Sequence, residues 1–414
     1  MTTVGQKLDE VLHGLAFEKI EGNAPQTESE PLLARLKELG SELWIDTGEL
    51  EKAREIWKTE MTALTTNNTL ANQVVQSGIM DQVIEDTIGK IRAEGLELSE
   101  EDMILEVGFV INCKIALRLV QAFKVKVSVE LHPAVSRSIE RTLHYGRRYF
   151  NVCPEFFIVK VPLTPEGYLA VRKLTREKIP INFTLGFSAR QNYLAARLSN
   201  PDFVNVFLGR LNQVVIDHKA GSGEGVGEKV TLATQNALTE AREKYKDVQS
   251  RLIGASIRNG EQVAFLAGLD VLTIPPKAMK EYQESEKAVD QVVSHLMDDI
   301  VPGIDHSHSL AGRFPSLWDV SGEFKSFVDA LVAEKDLDEM QGYNLVDYCR
   351  QYDMDLFHPF SDVEFKQIYD HGKIPDLGNW SETIALDDLM TQSALQSFTK
   401  DQNALDDRIR SFLK

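Results

Sequence analysis

Cysteine is scarce. The three in 414 residues, Cys113, Cys153 and Cys349, lie far apart with no CxxC pair, which excludes a disulfide framework and fits a reducing compartment. Positive charge is also in short supply. Lys and Arg total 45 against 63 Asp and Glu, a net charge of −18, and a surface that acidic repels a phosphate backbone. Broad nucleic-acid binding is therefore excluded, while a local basic pocket for a small phosphate remains allowed. No apolar run approaches the roughly 20 residues needed to span a bilayer. The opening stretch MTTVGQKLDEVLHGLAFEKIEG lacks the basic and continuous apolar regions of a signal peptide, so a cytoplasmic location is expected. There is no internal repeat of fixed period and no low-complexity tract. What is present is an ordinary folding composition, 43% hydrophobic and 26% charged, enough to bury a core.

The hydrophobic spacing of Leu8, Val11, Leu12, Leu15 and Ile20 predicts an amphipathic helix over 5–20. A linker-like stretch up to Pro31 follows, then a short helix that Gly40 closes. From Glu42 onward, short β-branched runs alternate with longer helical patterns. Strands are predicted near 42–46, 61–66, 124–131, 156–163, 180–187, 203–208, 250–257 and 270–275, with two helices, about 69–94 and 99–122, between the second and third. Eight strand–helix units in roughly 250 residues fit a (β/α)₈ barrel better than a doubly wound sheet. The chain divides into an N-terminal helical extension (1–40), the barrel (41–300), a mostly helical insertion (301–380) and a closing helix on the barrel (381–414). The insertion follows the eighth unit, so it is expected to pack outside the wall as a cap or subunit contact and to take no part in chemistry.

In such a barrel the reactive groups belong at the C-terminal strand ends. The fourth run, FFIVKVPL, is interrupted by Lys160. An ammonium taken out of water is costly unless paired, and desolvation in general favours the neutral amine that attacks carbonyls. The alternative is a lysine that snorkels or pairs with a carboxylate. Other strand ends carry Asp46, Thr65-Thr66-Asn67, Glu130, Asn182 with Thr184, Asn205 with Phe207 and Arg210, and Ser256 with Arg258. Any one of these is commonplace. Together they describe a pocket for a polyhydroxylated, phosphorylated carbonyl compound.

These residues sit in LWIDTGEL, ALTTNNTL, SVELHP, FIVKVPLTPEGYLAVRKLTREKIPINFTLGFS, FLGRLNQV and GASIRNGEQVAFLAGLDVLTIPPKAMKE, in that order from about 42 to 281. In this the chain resembles the transaldolases, Schiff-base-forming class I enzymes of the (β/α)₈ superfamily. The resemblance implies that Lys160 attacks the ketose C2 carbonyl and that Asp46 takes the hydroxyl proton when C3–C4 breaks. It implies that Glu130 and Thr184 hold a proton-shuttling water. Asn67 and Asn182 match amides that bind the dihydroxyacetone part, with Asn205 where many relatives have serine. Arg210, Ser256 and Arg258 match a phosphate-binding group, and Phe207 stands where a related aldolase branch has tyrosine. That branch also has glutamine at the Glu130 position, so both residues favour the transferase. The implied activity moves a dihydroxyacetone unit from fructose 6-phosphate or sedoheptulose 7-phosphate to an aldose phosphate, in the pentose phosphate pathway, with no cofactor and no metal. The implied partners are sugar phosphates, with neither nucleic acid nor membrane, and a homodimer is left open. Three alternatives stay beside this reading: a dihydroxyacetone-releasing aldolase, a modified-sugar enzyme, and a non-catalytic regulatory relative. Asn68 replaces the family's usual proline.

Other features read more plainly. GSGEGVG (221–227) lacks phosphate-loop spacing and is expected to be a flexible loop near the pocket mouth. The Asp305-His306-Ser307-His308 run lacks a third ligand in view and reads as a surface turn. His132 is either a pocket or a turn residue. The cysteines read as small buried groups. Met340, Tyr343, Tyr348, Tyr352 and Phe357 are expected to pack a small core.

Overall fold

The computed structural model describes residues 3–414. Eight parallel strands close into one barrel in chain order: β1 (Glu42–Asp46), β2 (Met61–Thr65), β3 (Lys126–Glu130), β4 (Phe157–Pro162), β5 (Ile181–Thr184), β6 (Phe203–Phe207), β7 (Arg251–Ala255) and β8 (Val271–Ile274), with β8 pairing back onto β1. Each lies within its predicted stretch, trimmed where the backbone turns into a polar loop. The apolar residues between polar ones, such as Ile45, Val129, Val159 and Phe183, are fully or almost fully buried under the helices outside. Inward residues fill the barrel. Trp44 meets Phe203 edge-on at 4.7 Å near the bottom, where Arg251 also pairs with Glu42 at 2.7 Å. Higher up, Glu130 is level with Lys160 and Lys160 with Asn182. A side-chain period of two then turns all three into the same interior.

The region predicted as one helix over 69–94 is two, Asn68–Gln76 and Asp81–Ala93, separated at Gly78 (φ +82°). The first has its own cap, since Asn67 Oδ1 accepts from the Leu70 amide at 2.9 Å. The N-terminal helix, Thr3–Ala16, stops short of Ile20. There Glu21 is tied to Gln121 through both its amide and its carbonyl (3.1 and 2.7 Å), which holds the chain non-helical. This helix packs on Asp81–Ala93, Glu100–Phe123 and Ile139–Val152.

Beyond β8 the chain wraps the outside of the barrel. Helix Gly322–Val332 packs on Ala189–Leu198, helix Gly342–Gln351 packs on Pro165–Arg176, and helix Asp362–His371 lies against the closing helix Leu386–Ser411. Phe314, Leu317, Phe324, Phe327, Val328 and Leu331 are buried there. The aromatic group at 340–357 divides: Phe357 is buried against Tyr168 of the barrel's helix layer and Tyr348 between Phe327 and Tyr352, while Tyr343 and Tyr352 are exposed. The 221–227 loop is not free. Gly223 donates to the Gly303 carbonyl (3.0 Å), Gly303 to the Glu224 carbonyl (2.7 Å) and Asp305 to the Ala220 carbonyl (2.7 Å), so the segment after the barrel fastens it. All three cysteines are buried thiols. Among the described residues no helix is long and apolar enough to cross a membrane.

Candidate active site

The C-terminal mouth of the barrel holds a cavity of about 180 Å³. Its wall brings together Asp46, Asn67, Lys160, Asn182, Asn205, Phe207, Arg210, Ser256 and Arg258. Glu130 and Thr184 lie behind the wall, both buried.

Lys160 is 4% exposed. Its Nζ donates to the Thr66 carbonyl at 3.1 Å and lies 3.1 Å from Glu130 Oε2, an ion-pair contact off the hydrogen-bond direction. Burial raises the Glu130 carboxyl above the usual carboxylate range. Lys160 and Arg210 pull it down, and Asp46 pushes it up. Glu130 Oε2, apart from its ion-pair contact with Lys160, and the Thr184 hydroxyl are buried with no hydrogen-bond partner in the protein, so both keep free hydrogen-bonding capacity. Asp46 is also raised by enclosure, against the attraction of Lys160 and a 2.7 Å hydrogen bond from Thr65 Oγ1. Because Thr65 gives its proton to that carboxylate, Thr273 Oγ1 supplies the proton of the 2.7 Å contact between the two hydroxyls.

The amides form a second chain. Asn182 Nδ2 donates to Ser128 Oγ (3.0 Å), Asn205 Nδ2 donates to Asn182 Oδ1 (2.7 Å), and Asn205 Oδ1 accepts from the Leu185 amide (3.0 Å). Leu185 has φ +69°, an unfavourable angle for a side-chain residue, and Thr391 Oγ1 of the closing helix also donates to its carbonyl at 2.9 Å. Asn205 therefore braces Asn182 and the turn after β5. The cap bond of Asn67 occupies its Oδ1 and leaves its NH₂ for the cavity.

After β6, Arg210 is 7% exposed, with rings of Phe207 and Phe398 5.7 and 5.5 Å from its guanidinium carbon. Burial and the nearby Arg258 push its pKa down to about 10, so it stays cationic at neutral pH. Its Nη1 has no hydrogen-bond partner. Ser256 turns the chain in the left-handed region (φ +63°). There the Gly209 backbone comes close to Ser256 and to the Arg258 side chain.

Thr65, one of the polar strand-end residues, lines the wall as expected, but sequence reasoning left out several others. Thr273 had a signal, a hydroxyl at an inward strand position. Thr69 and Phe398 had none, and neither did Lys373, which comes from the segment set apart from the chemistry yet lines this cavity. His132 is a turn residue outside the cavity: its Nδ1 accepts from the Ala134 amide and its Nε2 lies 3.2 Å from Asp406 Oδ2. Asn68, at the family's proline position, donates to Gln402 Oε1 at 2.9 Å, and Gln402 donates to Asp406 at 2.8 Å. A buried polar chain thus joins the loops after β2 and β3 to the closing helix. At 305–308 the Asp305 carboxylate accepts from the Ser307 amide and hydroxyl, and among the described residues no cluster of three or more His, Cys, Asp or Glu could hold a metal.

A closed eight-stranded parallel barrel with a buried lysine at its mouth, between two carboxylates and an unpaired arginine, defines the class: a (β/α)₈ barrel protein with a lysine-centred site. A family profile described as Transaldolase/Fructose-6-phosphate aldolase matches residues 43–311, and the chain belongs to that family. A "Probable transaldolase" of Thermus thermophilus is 31% identical over 244 residues, covering 58% of this chain and 89% of the relative. A "Transaldolase" of Protochlamydia amoebophila is 26% identical over 257 residues (60% and 76%), and one of Kluyveromyces lactis 26% identical over 274 residues (63% and 78%).

Proposed function

We propose that the protein is a transaldolase that moves a dihydroxyacetone unit between sugar phosphates through a Schiff base on Lys160. The observation that carries this reading is Lys160 itself, buried at the cavity wall within 3.1 Å of Glu130 and in the same cavity as Asp46. Glu130, raised by burial, takes the proton that leaves Lys160 as a neutral nucleophile. The amine adds to C2 of the ketose, and Glu130, with a water shared with Thr184 Oγ1, returns a proton to the departing C2 hydroxyl. The protonated imine then serves as the electron sink. Asp46, whose carboxylate form Lys160 and Thr65 favour against the effect of burial, accepts the C4 hydroxyl proton, and the C3–C4 electron pair moves into the enamine as the aldehyde leaves. Addition of the enamine to an acceptor aldehyde and hydrolysis of the new imine complete the transfer. Asn67 and Asn182 hold the three-carbon unit, Phe207 lines its side, and Arg210, Ser256 and Arg258 take the phosphate, a planar guanidinium fork suiting its oxygens.

Borohydride reduction in the presence of fructose 6-phosphate tests this. A reduced three-carbon adduct is expected on Lys160 and on no other lysine, and Lys160→Ala is expected to lose it together with turnover. An adduct elsewhere, or none on folded protein, overturns the assignment. Glu130 and Phe207 favour transfer over release, so erythrose 4-phosphate should greatly accelerate glyceraldehyde 3-phosphate formation. Equal rates with and without that acceptor would instead identify a dihydroxyacetone-releasing aldolase.

A further inference from the structure

Lys373 lies beyond the residues 43–311 that match the family, on the stretch running from helix Asp362–His371 back to the closing helix. That stretch is held at both ends. Gly372 (φ +116°) ends the helix in a conformation that side-chain residues rarely adopt. At the other end the Leu377 amide donates to His218 Nε2 at 2.9 Å, fastening the segment to the barrel's own helix layer. Between these anchors Lys373 is exposed to solvent and at the same time lines the cavity that contains Arg210 and Arg258.

Charge makes this placement informative. Acidic residues outnumber basic ones by 18 in this chain, and surface lysines and arginines are widely paired, as Lys366 is with Asp370 in the preceding helix. Among the described residues, none of Arg210, Arg258 and Lys373 has a carboxylate within 4.0 Å, and Arg210 Nη1 is buried without a hydrogen-bond partner. Three cations facing one small cavity repel one another, and the nearby carboxylates (Asp46 on the wall, Glu130 and Asp401 around Arg210) all stay beyond ion-pair distance of them. A bound dianion removes that repulsion.

We propose that Lys373 is a substrate-positioning residue that binds the terminal phosphate of the sugar from the solvent side, completing the Arg210–Arg258 pair and restricting the site to phosphate monoesters. The proposal rests on the reading above for the identity of the substrate. A lysine suits the outer position: a flexible point charge folds over a dianion already oriented by planar guanidinium groups.

Binding of inorganic phosphate to the full-length protein, measured by calorimetry, provides a readout that needs no turnover. Lys373→Met should weaken phosphate by about tenfold, the lower range for a charge-assisted contact at an exposed residue. Lys373→Arg should restore most of that affinity, and Lys366→Met should leave it unchanged. In steady-state assays Lys373→Met should raise KM for fructose 6-phosphate about tenfold with kcat within about twofold, and leave KM for non-phosphorylated fructose unaltered. Unchanged phosphate binding in Lys373→Met, with binding lost in Arg258→Met, overturns the role of Lys373 and keeps the anion site. Equal weakening by Lys366→Met overturns it as well, since only general charge is then at work. If Lys373→Met weakens phosphate while wild type forms no borohydride adduct, the anion site stands and the Schiff-base reading falls.

Discussion

Gly209 offers a sharp test of how the anion wall is built. It occupies the first turn of helix Leu208–Asp217, where replacing glycine with alanine ordinarily stabilises by up to about 1 kcal/mol. Here a Cβ would fall 2.3 Å from the Ser256 carbonyl oxygen, 2.5 Å from Arg258 Nε and 2.8 Å from Arg258 Cγ. The nearest of these atoms is backbone, in a turn already held at positive φ, so it cannot swing aside as a side-chain tip would. Relief requires the β7 turn to move by roughly 1 Å, and overpacking of this kind costs about 1–3 kcal/mol. Set against a helical gain of about 1 kcal/mol, Gly209→Ala should lose up to about 2 kcal/mol of stability. Function should suffer more. Ser256 and Arg258 move together, and loss of one charge-assisted contact, about 1.5–3 kcal/mol, raises KM for a phosphorylated donor ten- to a hundredfold. Lys160 lies elsewhere on the wall, so borohydride trapping at saturating donor should survive. Gly89→Ala is the control: that glycine lies on the exposed face of helix Asp81–Ala93 with nothing within 4 Å of the added carbon, and the substitution should stabilise. Denaturation curves and KM are measured for both variants. Wild-type stability and wild-type KM in Gly209→Ala would refute the close-approach argument.

Three further outcomes are expected. Thr65→Val removes the hydrogen bond that helps keep Asp46 ionised, so the acid limb of kcat/KM should move to higher pH, and an unmoved limb would show that Asp46 is not the ionisation being read. Asn68→Pro suits the first position of its helix but leaves the fully buried Gln402 Oε1 without its donor. Denaturation should then show a loss of about 1–3 kcal/mol, and no loss would mean that the chain to Asp406 is not stabilising. Asp388 is buried beside Asp387, and burial pushes its carboxyl up to about 7 against the His358 amide, Gln392 and Arg190. The folded state thus holds this proton more tightly than the unfolded one, so stability is present below the ordinary aspartate range and is lost as pH rises through about 7. The displacement of roughly 3 pH units corresponds to at most roughly 4 kcal/mol. Asp388→Asn should flatten that fall between pH 5 and pH 8, and an identical pH profile in the variant would remove the assignment.

The strands and the reactive lysine were legible because their signals are local. Runs such as FFIVKVPL alternate outward apolar residues with an inward charge, and a period of two is a property of the backbone, independent of what surrounds it. The break at Gly78 was less legible, since hydrophobic spacing continues across it and only the backbone angle ends the helix. The bracing role of Asn205 was hidden for another reason: its partners, Asn182 and the Leu185 amide, are set by strand register and by a turn. Asn68 and Gln402 are 334 residues apart, and no spacing rule connects them. Lys373 and Phe398 reach the cavity only because helices far along the chain bury their apolar faces on the barrel and return across its mouth. The sequence by itself determined the barrel, its inward polar ring and Lys160, because these follow from local periodicity and from the cost of burying charge. The tertiary structure alone decided what covers the mouth and which cations share the cavity, because those positions depend on how the appended helices pack against the finished wall.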